Sequence, residues 1–158
     1  MSTSREAMGA AGAGDSAGVG ASGTGGAAAV SGAAEEAITK VGRVGGSGRP
    51  GIFLASAFRG LASACLTAPD KSEGVEGQTC QVLDRIEELL AETGADPAGI
   101  VMAQVWLQRI EDAEEFAAAW NAWLGERPAP ALSLVQAPAA GYDSLVEIRA
   151  YAVRAERR

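Results

Sequence analysis

The sequence predicts an α+β domain in which two helices cover one face of a mixed sheet. Three observations carry that prediction. Apolar residues recur at helical spacing over residues 75–93, a second helical stripe follows Asp112, and short apolar runs bounded by Gly or Pro flank both helices. At 158 residues, 47% of them apolar, the chain suits one domain with a single core.

The elements follow in chain order. Residues 1–35 are almost all Gly, Ala and Ser, with only Arg5, Glu6, Asp15 and Glu35 charged. Such a stretch cannot bury enough apolar surface to offset its chain entropy and reads as a disordered tail, leaving residues 36–158 as the single domain. A GxGxxG at Gly18, Gly20 and Gly23 lacks the preceding strand and following helix that a dinucleotide site needs. Residues 36–50 pass through Gly45-Gly46-Ser47-Gly48 into a turn at Arg49-Pro50-Gly51. Residues 52–56 then read as a short buried strand, and residues 61–68 as a second apolar run ending at Pro69.

The helix over residues 75–93 places Val75, Thr79, Val82, Leu83, Ile86, Leu89 and Leu90 on one side, with Asp84, Arg85, Glu87 and Glu88 on the other. Gly94 supplies its stop. Residues 100–107 alternate as a strand, Val101, Ala103, Val105 and Leu107 facing one way and Met102, Gln104 and Trp106 the other. Asp112 is placed to cap the second helix, with Glu115 at the capping-box position and Phe116, Ala119, Trp120 and Trp123 as the apolar stripe. After a Pro-rich break at 127–130, residues 132–137 and 145–153 form the last two strands, joined by a turn at 140–143.

Charge narrows the function. A formal net charge of −7 disfavours phosphate backbones and anionic lipid, so neither nucleic acid nor membrane is expected as a partner. The chain has no histidine, which removes Ser-His-Asp and Cys-His nucleophilic arrangements and histidine metal ligands. No metal or cofactor is expected. Cys65 and Cys80 form no CxxC pair and are expected to be free, buried thiols in a cytoplasmic protein. Arg outnumbers Lys 11 to 2 and Ala is abundant, a bias that suggests a GC-rich bacterial source.

Several segments together resemble one family. Glu76-Gly-Gln78-Thr79-Cys-Gln81-Val82-Leu83, with Ile86 and Leu89-Leu90-Ala-Glu-Thr-Gly94, is similar to the first helix of the RidA (YjgF) proteins. Val105-Trp106-Leu107 and Trp120-Asn-Ala-Trp123 look like its next strand and second helix. Pro130-Ala131 and then Leu145-Val146-Glu147-Ile148 fall where its C-terminal hairpin would lie. The resemblance runs from about residue 51 to residue 153 and implies a RidA-like (chorismate mutase-like) mixed sheet assembled as a homotrimer, with a small-molecule cleft between subunits. Val101, Val105, Leu134 and Val146 are candidates for the apolar sheet face that trimer formation would cover.

The family's deaminases hydrolyse imines such as 2-iminopropionate. In them a Pro-Ala-Arg arginine holds the substrate carboxylate, and a glutamate on the last strand positions water. Here Pro130-Ala131 is followed by Leu132, the family asparagine falls on Ala117, and the cysteine two positions after the arginine is Leu134. The Ser-Gly-Gln after the first strand reads Ser56-Ala57-Phe58, so Glu147 alone matches the catalytic set. Replacing a bidentate guanidinium by Leu removes about 1.5–3 kcal/mol of carboxylate binding, and Leu132, Leu134 and Phe58 would make the cleft more apolar and poor in positive charge. Arg149, two residues from Glu147 on the same strand face, is the nearest substitute cation; Arg127 is expected to be solvent-exposed. The resemblance thus implies a binding protein or tailoring enzyme acting on a reactive imine, enamine or carbonyl intermediate of bacterial metabolism, with Glu147 as its acid–base group. A 2-imino acid deaminase and a non-catalytic accessory trimer are the alternatives.

Overall fold

The computed structural model describes residues 38–154, so the expectation of a disordered tail over residues 1–35 lies outside the described residues. The strands are β1 (Thr39–Gly46), β2 (Arg49–Phe58), β3 (Leu61–Thr67), β4 (Ala95–Leu107), β5 (Ala131–Gln136) and β6 (Val146–Arg154), and the helices are α1 (Val75–Glu92) and α2 (Ala113–Leu124). They form one six-stranded sheet in the order β1-β2-β3-β6-β4-β5. Every neighbouring pair is antiparallel except β4 with β5, which is parallel. A mixed sheet with two helices is therefore the fold.

Two features depart from the sequence reading. The Gly-rich run before Arg49 is not a loop but β1, whose Gly46 pairs with Arg49 so that Ser47 and Gly48 close a two-residue hairpin. Gly48 takes a positive φ of 78°, which suits glycine in such a tight turn. The final two strands, in turn, do not form a hairpin. β6 lies between β3 and β4, while β5 runs parallel to β4 at the sheet edge. A parallel neighbour requires a crossover, and α2 provides it.

The core forms where α1 crosses the sheet. Val82, Leu83, Ile86, Leu89 and Leu90 are all fully buried. Beneath them lie rows of small residues, Ala55–Ala64–Ala150–Ala103 and Ala57–Ala62–Ala152, set by the strand registers. Short side chains there let the helix approach the sheet closely. Val105, Val146 and Ile148 are completely buried in this layer, and Leu134 packs at its margin. The expectation that Val105, Leu134 and Val146 face outward toward other subunits is thus corrected. Val101 is 50% exposed because the register shifts between Ile100 and Met102, a bulge that turns it out of the alternation.

Buried polar groups fix the loops near the C-terminal end of β3. Gln78 is wholly buried on α1. Its amide nitrogen donates to the carbonyls of Lys71, Glu73 and Asp143 at 3.1–3.3 Å, and its oxygen accepts from the Leu145 N–H at 3.0 Å. One side chain therefore ties the loop after β3 to the turn before β6. Glu115 was expected to cap its own helix. Instead its carboxylate accepts from the backbone N–H of Glu76 in the first turn of α1, at 3.0 Å, and Asp112 makes no side-chain cap. Gly94 ends α1 as expected, with φ of 83° and its N–H bonded to the Ala91 carbonyl.

Candidate functional site

The sheet face away from α1 carries the candidate site. Antiparallel registers set Thr67, Glu147 and Trp106 side by side, with Cys65, Arg149 and Gln104 in the next row toward the sheet centre. Val135 lies beside Trp106, and Ser133 beside Gln104, on the parallel edge strand. On β3, β4 and β6 these residues alternate with buried core residues and so point to the helix-free side, and the parallel register sets Ser133 and Val135 on that same side.

Glu147 is the centre of this group. Its Oε1 accepts from the Cys65 thiol at 3.3 Å. No Arg or Lys of the described residues lies within ion-pair distance of it. Burial, reinforced by the Glu147 carboxylate, pushes the Cys65 thiol up to about 11, so it stays protonated and donates. Cys65 is half-buried, and Cys80 is exposed, which corrects the expectation that both are buried.

Positive charge reaches this patch from two directions. The Arg149 guanidinium sits 5.6 Å from the centre of the Trp106 ring, and Cys65 and Tyr151 beside it raise its affinity for its proton. Lys71 comes from the loop that leaves β3 after Thr67. It donates to the Ala68 carbonyl, and burial lowers its proton affinity while the Glu147 charge raises it. Sequence reasoning missed Lys71 altogether, because its approach to Glu147 depends on how the loop after β3 turns back.

The remaining predicted residues are dispersed. Ser56 pairs with Ser63 and Phe58 with Leu61, which places them about 13–20 Å along the open face from the Thr67–Glu147 row. Phe58 is 45% exposed, with Arg59 over its ring at 5.0 Å. With a strand ahead of it, the segment holding Ser56-Ala57-Phe58 is the second strand, and β3 carries its own Ser63-Ala64-Cys65. Leu132 and Leu134 pair with Ala103 and Val105, so they share the helix side of the sheet and not the Glu147 side. Ala117 is half-buried on α2. Arg127 is not a free surface cation: it pairs with Glu87 at 2.7 Å, donates to the carbonyls of Leu124 and Trp123, and stacks 4.2 Å from the Trp123 ring. It secures the end of α2. Trp120 is buried and Trp123 packs against the core, whereas Trp106 is half-exposed on the open face.

One chain thus gathers Cys65, Glu147, Arg149, Trp106 and Lys71 but separates them from Leu132, Leu134 and Ala117. Among the described residues no group of acidic, cysteine or histidine side chains is placed to hold a metal, and no helix is long and apolar enough to cross a membrane.

Comparison with known proteins places this arrangement. Residues 65–154 match the family model described as endoribonuclease L-PSP. A "RutC family protein" of Haemophilus ducreyi is 34% identical over 92 residues, covering 58% of this chain and 79% of that protein. Among solved structures, a member of the YjgF protein family from Neisseria meningitidis superposes with a TM-score of 0.65 at 28% identity, over 77% of this chain and 98% of that one. A YjgF-family member from Mycobacterium tuberculosis shares the fold, with a TM-score of 0.61 at 24% identity over 74% of this chain and 99% of that one.

Proposed function

Because the chain belongs to the endoribonuclease L-PSP family, which takes in the RutC and YjgF proteins, we propose that it acts as a homotrimer binding a small, reactive imine, enamine or carbonyl compound in clefts between subunits. The single observation that carries this reading is the setting of Glu147. A carboxylate on a helix-free sheet face, held by a protonated thiol and flanked by Trp106, is positioned to move a proton. The family name does not extend to RNA here, since a net charge of −7 opposes a polyanionic substrate.

Assembly supports the cleft. Leu132 and Leu134 on the β5 edge lie across the sheet from Glu147, so a pocket containing both needs a second copy. Phe58, Leu61, Met102, Val135 and Val153 all project from the open face and are 36–52% exposed in one chain. Covering them is the apolar gain of the trimer.

In the proposed hydrolysis, water adds to the imine carbon and Glu147 accepts a proton from it. Glu147 returns that proton to the nitrogen, giving a carbinolamine, then takes the hydroxyl proton and delivers it to the amine as the C–N bond breaks, so that the products are a carbonyl compound and ammonia. The Cys65 thiol holds the carboxylate in place and is not consumed. The test is ammonia release from imines generated in situ by an amino-acid oxidase, using the full chain and Glu147→Gln. Loss of a general base costs about 10²–10⁴ in rate. A Glu147→Gln protein as fast as the wild type would reject Glu147 as the acid–base group.

A further inference from the structure

Charge is divided unevenly along the described residues. Residues 38–69 hold Lys40, Arg43, Arg49 and Arg59 and no Asp or Glu, whereas residues 70–154 hold 15 Asp and Glu against six Lys and Arg. All four cations are exposed on the β1–β2 hairpin and the turn after it, and none is in an ion pair among the described residues. Apolar side chains are interleaved with them: Ile38, Val44, Ile52 and Phe53 are 42–57% exposed. The Lys40 ammonium lies 5.5 Å from the centre of the Phe53 ring, and Arg43 pairs with Phe53 across the two strands.

We infer that β1 is a docking edge for a short, extended, acidic segment of another protein, which adds to the sheet as a further strand. β1 is the outermost strand, and two strands lie between it and β6, so this surface is separate from the Glu147 site. Its pairing with β2 runs without a register shift from Thr39 to Val44, and the irregularity falls only at the turn, between Val44 and Gly46. An outermost strand turns a row of backbone N–H and C=O groups outward, and an extended peptide satisfies them. Lysine and arginine on such an edge repel a second basic edge, and the same charges attract one that carries carboxylates. Length then selects the occupant. A long polyanion or an anionic bilayer would extend past the hairpin over the acidic remainder of the chain and be repelled there. A segment of a few residues stays within reach of the hairpin cations, about 8–10 Å at ordinary ionic strength. Its carboxylates face Lys40, Arg43 and Arg49, and its apolar side chains cover Val44 and Ile52.

The probe is a fluorescein-labelled peptide, Glu-Val-Glu-Glu-Val-Glu-Glu-Val-Glu, titrated with the full chain and followed by anisotropy. It should bind, and raising NaCl from about 50 to about 500 mM should weaken binding at least about tenfold. A peptide with Gln for every Glu should bind at least about tenfold more weakly, because it lacks the charge. One with Pro for every Val keeps the charge but loses backbone donors, and should weaken by a similar factor. In the protein, Lys40→Glu combined with Arg43→Glu should abolish binding, and Arg43→Lys should preserve it. Arg85→Met, which removes a cation from the exposed side of α1, should leave binding intact. Circular dichroism and the assembled mass of each variant separate loss of binding from loss of fold, and the Gln and Pro peptides test the wild-type chain itself. No binding of the acidic peptide, equal binding of the Gln or Pro peptide, or an unaffected Lys40→Glu/Arg43→Glu protein would each overturn the inference. So would tighter binding of an oligouridylate or of phosphatidylglycerol vesicles than of the peptide, which would give the hairpin to a polyanion.

Discussion

Cys65 Sγ and Glu147 Oε1 approach to 3.3 Å across neighbouring strands, with the thiol as donor. The contact protects the thiol as it orients the carboxylate. A group raised to about 11 is thiolate in roughly one molecule in a thousand at pH 8. Iodoacetamide at pH 8 should therefore modify the exposed Cys80 well before Cys65, and Glu147→Gln should speed labelling of Cys65. Peptide mass mapping reads both sites. Equal labelling in the wild type would show that the pair does not form.

The same shift gives a direction for stability. A thiol raised above its ordinary value of 9.0 contributes stability that is complete below about pH 9 and is lost as pH rises through about 11. Denaturant titrations at pH 8 and pH 11 should show a drop that is smaller in Cys65→Ala. An identical drop in both proteins would assign the alkaline loss to other groups.

Gln78 should be the most sensitive polar residue of the fold. Gln78→Leu leaves the Leu145 N–H and three carbonyls without their partner, at a cost of about 3 kcal/mol or more. Urea unfolding measures this, and a loss under about 1 kcal/mol would mean that water replaces the amide.

The caps of the two helices give an opposed pair. Glu115→Ala should cost about 1 kcal/mol because it frees the Glu76 N–H at the start of α1. Asp112→Ala should cost little, since Asp112 makes no cap hydrogen bond. Thermal melts of the two variants should separate clearly, and the reverse order would restore the capping-box arrangement expected from spacing alone.

Local pattern carried the helices and most strands. The stripe from Val75 to Leu90, the stop at Gly94 and the alternation of Ala103, Val105 and Leu107 are each set by nearest neighbours along one element. Partner strands decided the rest. β1 is a strand because β2 pairs with it, in spite of its glycines, and β6 enters between β3 and β4 for reasons no local run contains. The bulge before Met102 likewise reversed the expected orientation of Val101. At the site, Glu147 was legible from its motif and Arg149 from its spacing. Cys65 and Lys71 join them only through strand register and loop path, both of which are tertiary.

In the proposed trimer the open face of one copy meets the β5 edge of the next. Light scattering coupled to gel filtration tests it directly on the full chain at micromolar concentration. The trimer should elute with a mass three times the 15.9 kDa of one chain. A single peak at the mass of one chain would contradict it, because Glu147 and Leu132 would then lie on opposite sides of an unpartnered sheet.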